Sequence, residues 1–371
     1  MRSCDCIQRL FQLLLLARLP AILSLGTITA PAFETDNFTL PLDTELADIG
    51  DFLEAAHTIA FQEAVAEVNA RIEKALRIRN ESARATALQR LHKPHALYQA
   101  LMPKFGYPLF DDSQLERCLR GRWSRQTYPG KRTSHQELRM QALTYFPPDP
   151  RWLTILSQSR TVKAFGIYFG TDKIVHFHAV GASYHRMSQD LLKDGLSGED
   201  AWRKFITHFA GRTVFSERTL FGSVLTGVYS NSDMAANQAG FKFLLNLTEK
   251  VFLKGQERDP LIVRCGVFWR LSSHVRLRSG WFSAFTSDHW NEALNPSEYD
   301  FTRQPGVRRF LRNHAKHIVQ FYTDKDRRPK DPAYFENLAH ELSSYYGEPY
   351  GHSGNLENLL TIGNTCFPAL R

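Results

Sequence analysis

The chain predicts a mainly α fold: a multi-helix, bundle-like globular protein with minor β or loop elements. Three observations carry this. Apolar residues recur three or four apart in most segments, the spacing that lines one face of a helix. Helix start signals precede several of those segments: Asn80, Pro94, Ser197-Gly-Glu-Asp200 and Asp331-Pro332. The one stretch dense in β-branched and aromatic residues, Leu261 to Trp281, is short and broken by Gly266 and Gly280, so it reads as a strand pair or as loops.

The elements follow in order. Residues 1–32 read as an export signal, with Arg2 and Arg9 ahead of an apolar run from Leu10 to Leu16 and again from Leu19 to Ala30. Ala30-Pro31-Ala32 offers the small-x-small pattern for cleavage. Arg18 splits the run below the ~20 residues a spanning helix needs, which favours cleavage over anchoring. Residues 33–50 look extended. From Phe52, the positions Leu53, Ala56, Ala60, Ala64, Val68, Ile72 and Leu76 form one helical face. Asn80 caps a second helix toward Leu91, and Pro94 opens a third that Pro103 and Gly106 close. This N-terminal helical region, 33–120, is followed by Gly, Pro and Ser-rich residues 121–151, a linker or long loop. The main helical domain, 152–371, holds the remaining segments. Val307, Phe310, Leu311, His314, Ile318 and Phe321 share a face, and Asp331-Pro332 starts a helix bearing Phe335, Leu338 and Leu342.

Composition bounds the partners. The 371 residues carry a net charge of +8, reduced slightly once residues 1–32 and their three arginines are removed. Lys and Arg are scattered rather than interleaved with aromatics on one face, which argues against nucleic acid. After cleavage no segment is apolar enough to span a membrane, and a cell-envelope component is the expected partner class. Cys118, Cys265 and Cys366 remain, none spaced as a metal-binding pair. A Cys265–Cys366 bridge would tie down the C-terminus in an oxidising compartment, and three reduced thiols stand as the alternative.

Two segments form a polar centre. Residues 171–187 read as a helix capped by Thr171, which places Asp172, His176, Val180 and Ser183 on one stripe. Residues 232–247 read as a helix capped by Ser232, with Asp233, Asn237, Gly240 and Leu244 on one face. Both helices are lined with small residues. Gly costs about 1 kcal/mol against Ala in a helix interior, so Gly181 and Gly240 predict a close crossing that gathers Asp172, His176, Asp233 and Asn237. A carboxylate beside a histidine fixes its tautomer, as in a general base or a metal ligand. A satisfied network that sets helix register is the other reading. A rival local fold pairs 164–170 with 174–180 as a hairpin turning at Gly170-Thr171-Asp172, which would put His176 and His178 on one face.

Weaker candidates surround the centre. Glu217 is a possible acid. Tyr229, Ser230 and Asn231 arrive at a helix N-terminus, where N–H groups can hold an anion. Trp281, His289, Trp290 and Glu292 resemble a cleft wall that stacks on sugar rings or aromatics, and Ser287 can cap a short turn there. His352 sits in a glycine-rich loop. No serine-elbow, zinc-protease or cysteine-protease motif is present, and nothing names a metal, a cofactor or an oligomeric state.

Asp172-Lys-Ile-Val-His-Phe resembles the Asp-Lys-x-x-His-Phe signature of VanZ-like envelope proteins and of some small bacterial lipoproteins. The wider chain, with Thr226 to Asn237 and Asp288 to Pro296, looks like a family of exported Gram-negative bacterial proteins. That resemblance implies an envelope location and makes Asp172, His176, Asp233 and Asn237 the signature positions. Two functions are therefore expected to compete. One is a structural or binding module of the envelope. The other is a periplasmic hydrolase of an envelope glycan or lipid-linked substrate, with His176, oriented by Asp172, as base or metal ligand and Asp233 and Asn237 as partners. A cleft open beside His176 favours the hydrolase; a sealed centre favours the module.

Overall fold

A computed structural model describes residues 48–105, 161–193, 204, 206, 228–301, 304–326, 330–354 and 359–370. Among them, 60% are helical and 13% are in strands, so the chain is mainly α. The export signal, Glu217, Cys118, the 121–151 segment and the Ser197 capping box lie outside the described residues. No described helix is long and apolar enough to cross a membrane.

Helix α1, Gly50–Leu76, buries the stripe expected of it, including Leu53, Ala60, Ala64, Val68 and Ile72. Asn80 caps α2, Glu81–Leu91, by accepting the Ala83 N–H at 2.8 Å. Pro94 opens α3, Pro94–Leu101, and a 3-10 turn at Met102–Phe105 follows. Strands β1, Thr161–Ala164, and β2, Ile167–Gly170, form a hairpin. It turns at Phe165-Gly166, where both residues have positive φ, with the Asp48 carboxylate accepting their N–H groups. This corrects the rival hairpin. The strand at 167–170 pairs backward with 161–164, and the chain then enters a helix.

That helix runs as α4, Asp172–Val175, a π-helical turn at His176–Val180, and α5, Gly181–Lys193. Thr171 makes no side-chain cap bond, so the cap expected of it is absent. A short strand β3, Val228–Tyr229, leads into α6, Asn231–Leu245. Its cap is Ser230 rather than Ser232: the Ser230 hydroxyl accepts the Asp233 N–H at 3.1 Å.

Two hairpins follow: β4, Val251–Leu253, with β5, Gln256–Arg258; and β6, Ile262–Cys265, with β7, Phe268–Leu271. Leu261 to Trp281 is thus a strand pair followed by a loop. The 3-10 turns Trp281–Ala284 and Asp288–Trp290 then lead to β8, Glu298–Tyr299, which pairs with β3. Helices α7, Gln304–Asn313, and α8, Ala315–Asp326, split at His314 the face that reads as continuous in sequence. Asp331 caps α9, Pro332–Leu342, and α10, Ile362–Thr365, carries a capping box from Thr361.

The largest apolar core joins residues of α1 and α3 to residues of α5, α6 and the 281–290 segment. Phe61, Phe177, Phe243, Trp281, Phe282 and Phe285 pack together at its middle, Phe61 stacked on Phe243 and Trp281 and the others tilted or edge-on. Helices α5 and α6 cross at Gly181 and Gly240, as the small-residue rows predict. A methyl group on Gly181 would lie 2.8 Å from the Gly240 Cα, and one on Gly240 would overlap the Phe177 carbonyl.

Candidate functional site

The crossing carries a buried ionic cluster at the N-terminal ends of α4 and α6. Lys173, fully buried, extends its ammonium to Asp172 Oδ2 at 2.6 Å and Asp233 Oδ1 at 2.5 Å, and ion-pairs with Glu292. All three carboxylates are themselves buried. Removing such groups from water is costly unless each charge is countered, and here one ammonium faces three carboxylates. Their oxygens lie within 4.8 Å of one another, a spacing that could hold a metal ion. The Lys173 ammonium takes the place among them that a cation would occupy.

Glu292 meets the start of α6. Ser230 and Ser232 donate to its Oε1 at 3.3 and 3.2 Å. The anion expected at this helix N-terminus is therefore a side chain of the protein itself, in the position where N–H groups and the helix dipole favour negative charge.

His176 stands at the edge of the cluster, its side chain 14% exposed. Its Nδ1 donates to Asn237 Oδ1 at 3.0 Å, and Nε2 lies 3.4 Å from Asp233 Oδ2. Asn237 in turn donates to the Tyr184 hydroxyl at 3.4 Å, which sets the orientation of its amide. The ring thus presents a nitrogen to an acceptor on both sides. Burial, the largest influence, raises the Asp233 pKa; His176 and Lys173 pull it back and Asp172 pushes it up.

His176, Asp233 and Asn237 do converge. Asp172 pairs with Lys173, and the carboxylate paired with His176 is Asp233, which corrects the expectation that Asp172 orients it. Lys173 and the cluster role of Glu292 escaped the sequence reading. The available signal was a lysine directly after Asp172 and three residues before His176. The π-helical turn that begins at His176 was also not legible; such turns recur at functional sites.

The weaker candidates resolve differently. Tyr229 donates to the Gly351 carbonyl at 2.7 Å, and Asn231 binds the backbone of Pro296 and Ser353, so both fasten the C-terminal loop. Trp281 and Trp290 are core residues rather than a cleft wall. Trp281 donates to Thr58 at 3.1 Å and stacks on Phe61, while Trp290 packs edge-on to Phe169. Ser287 makes no cap bond; its hydroxyl goes to His289 Nδ1. Cys265 and Cys366 are both free, one exposed and one buried, so the bridge between them is not formed.

Two further buried histidines face each other. His57 Nδ1 donates to the Leu53 carbonyl at 2.6 Å, and its Nε2 lies 3.1 Å from His178 Nε2. His57 therefore accepts and His178 donates. Phe105 stacks on His178 and Phe282 on His57. Burial in this aromatic box lowers the pKa of His57 to about 3 and holds that of His178 well below the usual value.

No protein-family model, no characterised protein and no solved structure matches the chain.

Proposed function

We propose that the chain is an exported envelope protein, a structural or binding module, whose Asp172–Lys173–Asp233–Glu292 cluster is a permanent ionic core. The observation that supports this reading is the complete burial of Lys173 among three buried carboxylates. A lysine so enclosed acts as an internal counter-ion. It holds the N-terminal ends of α4 and α6 to the 288–292 segment and sets the register of the helix crossing. On this reading His176 and Asn237 complete the network. His176→Ala removes one partner each from Asp233 Oδ2 and Asn237 Oδ1 and lowers stability by ~1–3 kcal/mol. A His176→Ala protein as stable as wild type that fails to replace it in the cell contradicts the reading. Export is tested separately: the mature N-terminus in the periplasmic fraction should follow Ala32.

One observation favours the second reading, a hydrolase of an envelope glycan or lipid-linked substrate. His176 is the one partly exposed member of the group, and Asp233 and Asn237 orient it as a base would be oriented.

A further inference from the structure

On the far side of the segment that carries Glu292, Ser287 and His289 form a second polar group. The Ser287 hydroxyl lies 3.0 Å from His289 Nδ1, and His289 Nε2 lies 2.7 Å from the Ser344 carbonyl oxygen. A carbonyl can only accept, so Nε2 carries the proton and Nδ1 presents its lone pair to the serine. The serine is thus the donor, and the base is oriented by a third group, the arrangement of an activated nucleophile. Ser287 opens a 3-10 turn without capping it; its hydroxyl faces His289 Nδ1 and is also within hydrogen-bonding reach of the Tyr346 hydroxyl.

The surroundings fit that role. Burial brings the His289 pKa down to about 4, so the ring is neutral at pH 7 and its Nδ1 lone pair faces the serine. Tyr345 packs with its ring 5.1 Å from that of His289. Its hydroxyl is fully buried and has no hydrogen-bond partner, an unusual cost for a native structure. Burial also keeps that hydroxyl protonated, so it remains a donor. Tyr346, whose ring lies 5.0 Å from His289 and which interacts with Ser287, is only partly buried and has a strained φ of 53°. His352 adds a buried, unpartnered Nε2 nearby.

We propose that Ser287 and His289 are a nucleophile–base pair for acyl transfer from a carboxylic ester, with the Tyr345 hydroxyl as donor to the developing oxyanion. Ser287 Oγ bonds to the acyl carbon while its proton passes to His289 Nδ1. The bond from the acyl carbon to the alcohol oxygen breaks, and that oxygen leaves with the proton from His289. Water then attacks the acyl-serine, gives a proton to Nδ1, and Ser287 Oγ departs and regains it. The proposal is independent of the ionic core, which on this account anchors the segment presenting the pair.

The test uses the intact protein and a fluorophosphonate probe, with the modified peptide located by mass spectrometry. The expected adduct is on Ser287; it is absent in Ser287→Ala and forms at least about 100-fold more slowly in His289→Gln, in line with the usual worth of a general base. No adduct on Ser287 of folded wild-type protein, or an adduct whose rate His289→Gln leaves unchanged, overturns the proposal. Ser287→Cys gives a second reading: alkylation by iodoacetamide at pH 7 should be faster than in Ser287→Cys/His289→Gln. Equal rates in the two variants overturn it as well.

Discussion

Gly240 lies directly against the carbonyl of Phe177, so close that any side chain at Gly240 would overlap the backbone of the neighbouring helix. The crossing cannot open at this point without pulling His176 and Asp233 apart, since His176 adjoins Phe177 and Asp233 lies on the same helix as Gly240, two turns earlier. Gly240→Ala should therefore destabilise the fold by ~3 kcal/mol or more, beyond the ~1–3 kcal/mol usual for overpacking, because backbone rather than a movable side chain is in the way. Chemical denaturation checks this. An unchanged midpoint would mean the helices do not meet as described.

The cap of α6 gives a second, smaller prediction. Ser230 satisfies the Asp233 N–H and donates to Glu292, so one hydroxyl serves both the helix start and the ionic core. Ser230→Ala should cost ~1–2 kcal/mol, at the upper part of the range for cap loss. Ser232 also donates to Glu292 but caps nothing, so Ser232→Ala should cost less.

The buried pair His57–His178 predicts the pH response. Both histidines have folded pKa values below the unfolded 6.5, His57 at about 3. Between those values the unfolded chain binds protons that the folded chain does not. Their stabilising contribution is therefore complete above pH 6.5 and is lost as pH falls toward the folded values, at ~1.4 kcal/mol per unit for each histidine. Thermal midpoints measured from pH 8 to pH 4.5 should hold level and then fall below about 6.5. A His57→Phe/His178→Phe protein should show a shallower fall; the same slope in both proteins would assign the acid response elsewhere.

Much of the fold could be read from local chemistry. Asn80 and Asp331 mark helix starts through cap bonds made three residues on, and Pro94 does so through its fixed φ at the first helical turn. The helix crossing was legible because Gly181 and Gly240 have no other use in a helix interior. What failed were features decided by distant partners. The surroundings of Lys173 were not legible, because Asp233 and Glu292 come to it from segments far along the chain. Thr171 and Ser232 were plausible caps, but the helix starts are set by neighbours: Ser230 holds the α6 N-terminus, and Thr171 is already helical. Trp281 and Trp290 looked like a cleft wall because polar residues flank them; those polar residues turn inward, Glu292 to Lys173 and His289 to the Ser344 carbonyl, while the rings fill the core.

The central claim is that Lys173 is the internal counter-ion on which the polar centre depends. The most direct measurement compares the unfolding free energies of Lys173→Met and of Lys173→Met combined with Asp172→Asn, Asp233→Asn and Glu292→Gln. Lys173→Met alone leaves three buried carboxylates without their cation and should cost ~3–5 kcal/mol, the usual penalty for breaking a buried pair. Neutralising the carboxylates as well should recover most of that loss. If Lys173→Met is as stable as wild type, or if the combined variant is no better than the single one, the ionic core does not organise this fold.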